Sequence, residues 1–140
     1  MTQKLAGLLR LQERHVQNAK AELGEQSTRV AALDARRRAH AAEAAAQPFA
    51  ELAAVGLSLD AWRKRQRAER GKLDNLHADA RAQQEYLRDA LRDKSAEKLA
   101  VERVAERMQA EQDRLQAVRS QHEMDDMVAG RWTSAASRTR

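Results

Sequence analysis

LDARRRAHAAEAAAQPFAELAAVGLSLDAWRKRQRAERGKL, residues 33–73, carries the one sustained interruption in an otherwise periodic chain. At its centre Pro48 disfavours helical backbone at Gln47, and Gly56, Leu57 and Ser58 offer a flexible joint followed by an N-cap. On both sides the apolar residues return in heptads. Working back toward the N-terminus, one core position holds Leu9, Val16, Leu23, Val30, Arg37 and Ala44, and the other holds Leu5, Gln12, Ala19, Gln26, Leu33 and His40. Working forward, one position holds Leu59, Gln66, Leu73, Ala80, Leu87, Lys94, Val101, Met108 and Leu115. The alternate position holds Trp62, Glu69, Leu76, Gln83, Ala90, Glu97, Val104, Glu111 and Val118.

This spacing predicts helix one over about residues 2–46, a turn region over about 47–58 and helix two over about 59–129. Gly130 serves as a C′ residue, and a disordered polar tail follows over about 133–140. The fold class is all-α: residues 1–140 form a single antiparallel coiled-coil hairpin whose second helix is longer and projects at its C-terminal end. The facing that best pairs polar with polar sets Arg37 opposite Glu69, His40 opposite Gln66, Val30 opposite Leu76 and small Ala44 opposite large Trp62. A slip of one heptad would set Arg37 against Leu76, stranding a polar group at a cost of about 1 to 3 kcal/mol. In the favoured register helix one runs out near Val104, and the next stretch, to about residue 128, projects for about 36 Å at ~1.5 Å per residue.

Composition supports a thin seam over a globular core. Of 140 residues, 42% are hydrophobic but only 3% aromatic, while 34% are charged. Alanine supplies much of the hydrophobic share, and it favours helix while burying little area. Cysteine is absent, which rules out a disulfide framework or a thiolate metal site. No stretch approaches the roughly 18 apolar residues of a membrane helix, and MTQKLAGLLRLQERH places charges where a signal peptide needs its apolar core. A cytoplasmic protein is expected, without direct membrane insertion.

Catalysis finds little support. No Gly-rich phosphate loop occurs, and His15, His40, His77 and His122 each lack a second His or Cys at ligand spacing. Neither an enzyme nor a cofactor is expected. The net charge of +5 comes from the first half, where residues 1–70 hold 13 basic and 8 acidic groups against 13 and 13 in residues 71–140. Arg36, Arg37 and Arg38 form one cluster, and Arg63, Lys64, Arg65, Arg67 and Arg70 another; the hairpin brings both to the turn end. Ordinary solvated arginines and an acidic docking site are the two readings of that cluster. On the overhang, Met108, Leu115, Val118 and Met127 continue an apolar stripe with no intramolecular cover. The readings are homodimerisation or a shifted register on one side and insertion into a partner on the other. Trp132 stands just beyond as a candidate anchor.

The opening LAGLLRLQERHVQNAKAELGE, the Leu59 to Arg63 segment of LxxWR form, and the close DRLQAVRSQHEMDDMVAGRW with its Glu123 to Met127 run together resemble the FliJ family of flagellar export proteins. They are equally similar to its virulence-type relatives, the YscO group, over nearly the whole chain. The resemblance implies a non-enzymatic stalk of a type III protein export apparatus, peripheral to the inner membrane. Its terminal end would enter a hexameric export ATPase through Met108, Leu115, Val118, Met124, Met127 and Trp132. Its turn end would meet the cytoplasmic domain of the export gate protein through Arg36, Arg37, Arg38, Arg63, Arg65 and Arg67. Export chaperones are implied as further partners, and nucleic acid is not. The competing class is a free-standing structural or nucleic-acid-binding coiled coil.

Overall fold

The computed structural model describes the backbone of residues 2–46, 53, 54, 56 and 58–137, and the side chains among these from residue 4 to residue 131. Two long helices dominate: α1, Thr2–Ala46, and α2, Leu59–Ser137. They form an antiparallel coiled-coil hairpin in which α2 is the longer. Helix α1 stops two residues before Pro48, as the proline demands. Helix α2 opens on a side-chain cap: Ser58 Oγ accepts a hydrogen bond from the Ala61 amide at 3.2 Å, and Ser58 O receives the Trp62 amide at 3.1 Å. Asp60 adds a carboxylate to the first turn, where the helix dipole favours it. Gly56 sits at φ 69°, a left-handed backbone that other residues adopt only under strain. Most of the expected turn region otherwise lies outside the described residues.

The expected end of α2 is corrected. Gly130 does not terminate the helix, which runs on to Ser137, so residues 133–137 are helical and only residues 138–140 of the expected tail lie outside the described residues. Among the described glycines only Gly56 has positive φ, so Gly130 lacks the left-handed geometry of a C′ stop. A glycine in mid-helix costs about 1 kcal/mol relative to alanine, too little to halt a helix already propagating.

The chain divides into two compact units, one of residues 11–96 and one of residues 1–10 with 97–140. In the first, Val16, Val30, Leu73 and Ala80 are buried, joined by the polar Gln84. All expected seam positions of α1, from Leu5 to Ala44, are buried or half-buried. Helix α2 follows its expected seam at Leu59, Trp62, Gln66, Glu69 and Leu73 and keeps the first position inward at Ala80, Leu87, Lys94, Val101 and Met108, while the alternate position departs from it. The next inward residue is His77, and the alternate position continues at Gln84 and Leu91, while Leu76 is 46% exposed and Gln83 is exposed. The expected facing of Val30 with Leu76 is therefore replaced.

Two successive four-residue steps, Glu69 through Leu73 to His77, account for the departure. A straight helix drifts about 20° per heptad from its seam, and one such extra step returns the phase. Polar partners reinforce it. His77 turns inward to meet Asp34 and Arg37, and Gln84 Nε2 donates to Ser27 Oγ at 2.9 Å. Beside this pair Gln26 Nε2 donates to Ala80 O at 2.8 Å, and Ser27 Oγ donates to Leu23 O at 2.7 Å. A buried polar layer of this kind fixes register, because a slipped pair would leave these groups unbonded.

In the second unit, Leu5, Ala6 and Leu9 of α1 line a cleft of about 320 Å³ with Ala105, Met108, Gln109 and Gln112 of α2. Ala105 and Met108 are half-buried. Met108 thus belongs to the covered seam, and the unbroken run of exposed residues on α2 begins at Gln109 instead of residue 105. Leu5 and Leu9 reach further along α2 than the favoured facing allows.

Candidate functional site

From Gln109 to Arg131 every residue of α2 is exposed, including Leu115, Val118, Met124, Met127 and Val128. These do not form one stripe. At ~100° per residue, Leu115 and Met124 lie about half a turn apart. Leu115 and Val118 continue the seam face that Met108 ends. Met124, Met127 and Val128, spaced i, i+3 and i+4, make a second patch on the far side. Of the ATPase-facing set implied by resemblance, Met108 is half-covered by α1 and the next four residues divide between two faces. Trp132 has its backbone within α2, but its side chain is outside the described residues. Val128 is the residue that heptad counting passes over; its spacing from Met124 is the signal that could have found it.

At the other candidate surface, in the unit of residues 11–96, ion pairing sorts the arginines. Arg37 is engaged: its guanidinium reaches Asp74 Oδ1 at 2.7 Å through one terminal nitrogen and 2.8 Å through Nε, and lies 3.7 Å from Asp34. Glu69 is met by Arg36, at 3.7 Å, and not by Arg37. The expected Arg37–Glu69 facing is corrected on this point. Asp74 and His77 come inward with the extra step and draw Arg37 one turn along α2, leaving Glu69 to the neighbouring arginine. Trp62 and Ala44 are both half-buried. His77 Nε2 lies 2.8 Å from Asp34 Oδ1 but off the axis of a hydrogen bond, and its Nδ1 lies 3.4 Å from Arg37. His40 and Gln66 line one cleft of about 330 Å³, yet His40 Nε2 and Gln66 Oε1 lack hydrogen-bond partners among the described residues.

Arg38, Arg63, Arg65 and Arg67 remain exposed, and no carboxylate among the described residues pairs with them. Arg70, outside the gate-facing set, lines a cleft of about 470 Å³ with Asp34, Arg38, Ala41, Leu73 and Asp74. No described helix is long and apolar enough to cross a membrane. No group of three His, Asp or Glu among the described residues is placed to hold a metal ion. No family model matches the chain, and no curated protein or solved structure matches it.

Proposed function

We propose that this chain is a non-enzymatic adaptor of a bacterial type III protein export apparatus, flagellar or virulence-type. In this reading its uncovered α2 segment is taken up by the export ATPase ring, and its arginine-bearing unit meets the cytoplasmic domain of the export gate. The observation that carries the reading is the state of residues 109–131, helical throughout and exposed throughout. An isolated charged helix gains little by staying ordered in water, so such a segment suits a partner that surrounds it. Apolar side chains on two faces fit a sleeve better than a groove, which would cover one face only. Methionines at 124 and 127 repack against more than one surface, as an adaptor shifting between ring subunits requires. The resemblance in the opening and closing segments supplies the identity of the ring.

The test is a chain ending at Met108, compared with the full chain for binding to the purified export ATPase and for stimulation of ATP hydrolysis. Binding and stimulation should vanish while the hairpin still melts cooperatively. Full stimulation by the shortened chain would remove the proposal, and a full-length chain that dimerises through residues 109–131 without touching the ATPase would return the segment to self-association.

A further inference from the structure

We infer that the flank of the hairpin carrying Arg38, Arg63, Arg67 and Arg70 is a docking groove for an acidic amphipathic helix of a partner protein. The spacing of Arg63, Arg67 and Arg70 on α2 is i, i+4, i+7, which sets three guanidinium-bearing residues on one side of the helix, successive ones about 5 to 6 Å apart at Cβ. Arg70 shows which side this is. With Asp74 it forms one wall of the 470 Å³ cleft, and Asp34, Arg38 and Ala41 of α1 form the other.

These arginines are free to act. Arg38, Arg63 and Arg67 have no carboxylate partner among the described residues. Arg70 has only a 3.7 Å approach to Asp74, whose other oxygen is held by Arg37, and its side chain is 78% exposed. The opposite flank differs: the cleft there brings Glu43 and Glu69 beside Arg36, and the Arg36–Glu69 pair uses up charge of both signs. Of Arg38, Arg63, Arg65 and Arg67, exposed and without a carboxylate partner among the described residues, the first two and Arg67 stand on this flank and Arg65 does not.

Three features favour a helical peptide over a nucleic acid. Glutamates at i, i+4 and i+7 on an incoming helix match the arginine spacing, and carboxylates accept guanidinium forks in bidentate fashion. Ala41 at the lip of the cleft leaves room for a backbone to approach. The stripe is also bracketed by acid: Asp60 precedes Arg63 by three residues and Asp74 follows Arg70 by four, on the same side of α2. A polyanion charged at every step would run onto these carboxylates, whereas a peptide with about two acidic turns ends between them.

This inference gives the chemistry of the second partner in the adaptor reading, but it depends only on residues 11–96. The probe is a labelled synthetic helix with glutamates at i, i+4 and i+7 on an alanine and leucine frame, titrated with the full chain by fluorescence anisotropy. The glutamine version of that peptide should bind at least about tenfold more weakly. Arg63→Gln with Arg67→Gln should weaken the glutamate peptide about tenfold, while Lys64→Gln with Lys72→Gln, equal in charge but off the groove, should leave it unchanged. Circular dichroism should be the same for both pairs. Equal losses from the two pairs, indifference to glutamate against glutamine, or tighter binding of a duplex DNA than of the peptide would overturn the groove. Failure of the ATPase test leaves all of these outcomes where they are.

Discussion

Leu73 and Leu115 occupy the same heptad position of α2, yet Leu73 is 3% exposed and Leu115 is 54% exposed. Both have the same side chain, helix and charged neighbourhood. The difference is α1: it passes over Leu73, and no described part of it covers α2 beyond Gln112. A heptad therefore marks what a helix is able to bury. What it does bury depends on whether another helix is present, and this is why the uncovered heptads stay exposed.

The sharpest way to break this comparison is to make one substitution in both places. Leu73→Ala should destabilise the hairpin by about 2 to 3 kcal/mol, since it removes a buried side chain from a narrow seam. Leu115→Ala should change stability by less than about 0.5 kcal/mol, because nothing covers it. Chemical denaturation with circular dichroism measures both. Similar losses at the two positions would mean that residues 109–131 are covered in solution, by self-association or by folding back.

A smaller effect sharpens the account of register. A double-mutant cycle on Arg37→Ala and Asp74→Ala should show coupling of about 0.5 to 1 kcal/mol, modest because both side chains are around two-fifths exposed. The same cycle on Arg37 and Glu69 should be additive within about 0.3 kcal/mol. Coupling in the second cycle alone would restore the facing that simple heptad counting favours.

The polar layer yields a subtler outcome. Gln84→Leu should leave the melting temperature within a few degrees of the parent, since a buried amide is exchanged for apolar surface of similar volume. Its effect should appear in specificity. Engineered cysteines that cross-link only in the native register should cross-link less completely, because a slipped seam would no longer strand Ser27 and Gln26 against a fixed partner.

The smallest pair of effects compares two glycines, each with open space where a Cβ would stand. Gly130→Ala should stabilise the local helix by about 0.5 to 1 kcal/mol and raise helicity slightly. Gly56→Ala should destabilise by about 1 kcal/mol, because its φ of 69° is strained for any other side chain. The two changes are chemically identical and opposite in sign, and thermal melts distinguish them.

The sequence by itself determined the all-α class, the α1 seam from Leu5 to Ala44, the stop before Pro48 and the cap at Ser58. Each rests on local chemistry: a period, a missing amide hydrogen, a side-chain oxygen placed to accept. The clustering of arginines and the surplus of heptads on α2 were also legible, because both are counts along one chain. Only the tertiary structure decided that His77 and Gln84 turn inward in place of Leu76 and Gln83, that Asp74 and not Glu69 receives Arg37, and that Met108 is half-covered. It also decided that Arg38 and Arg70 share the wall of one cleft, with Arg63 and Arg67 on the same side of α2 and Arg65 off it. These choices lie between helices, where a four-residue step costs α2 almost nothing locally and is selected by which polar groups of α1 it brings within hydrogen-bonding distance.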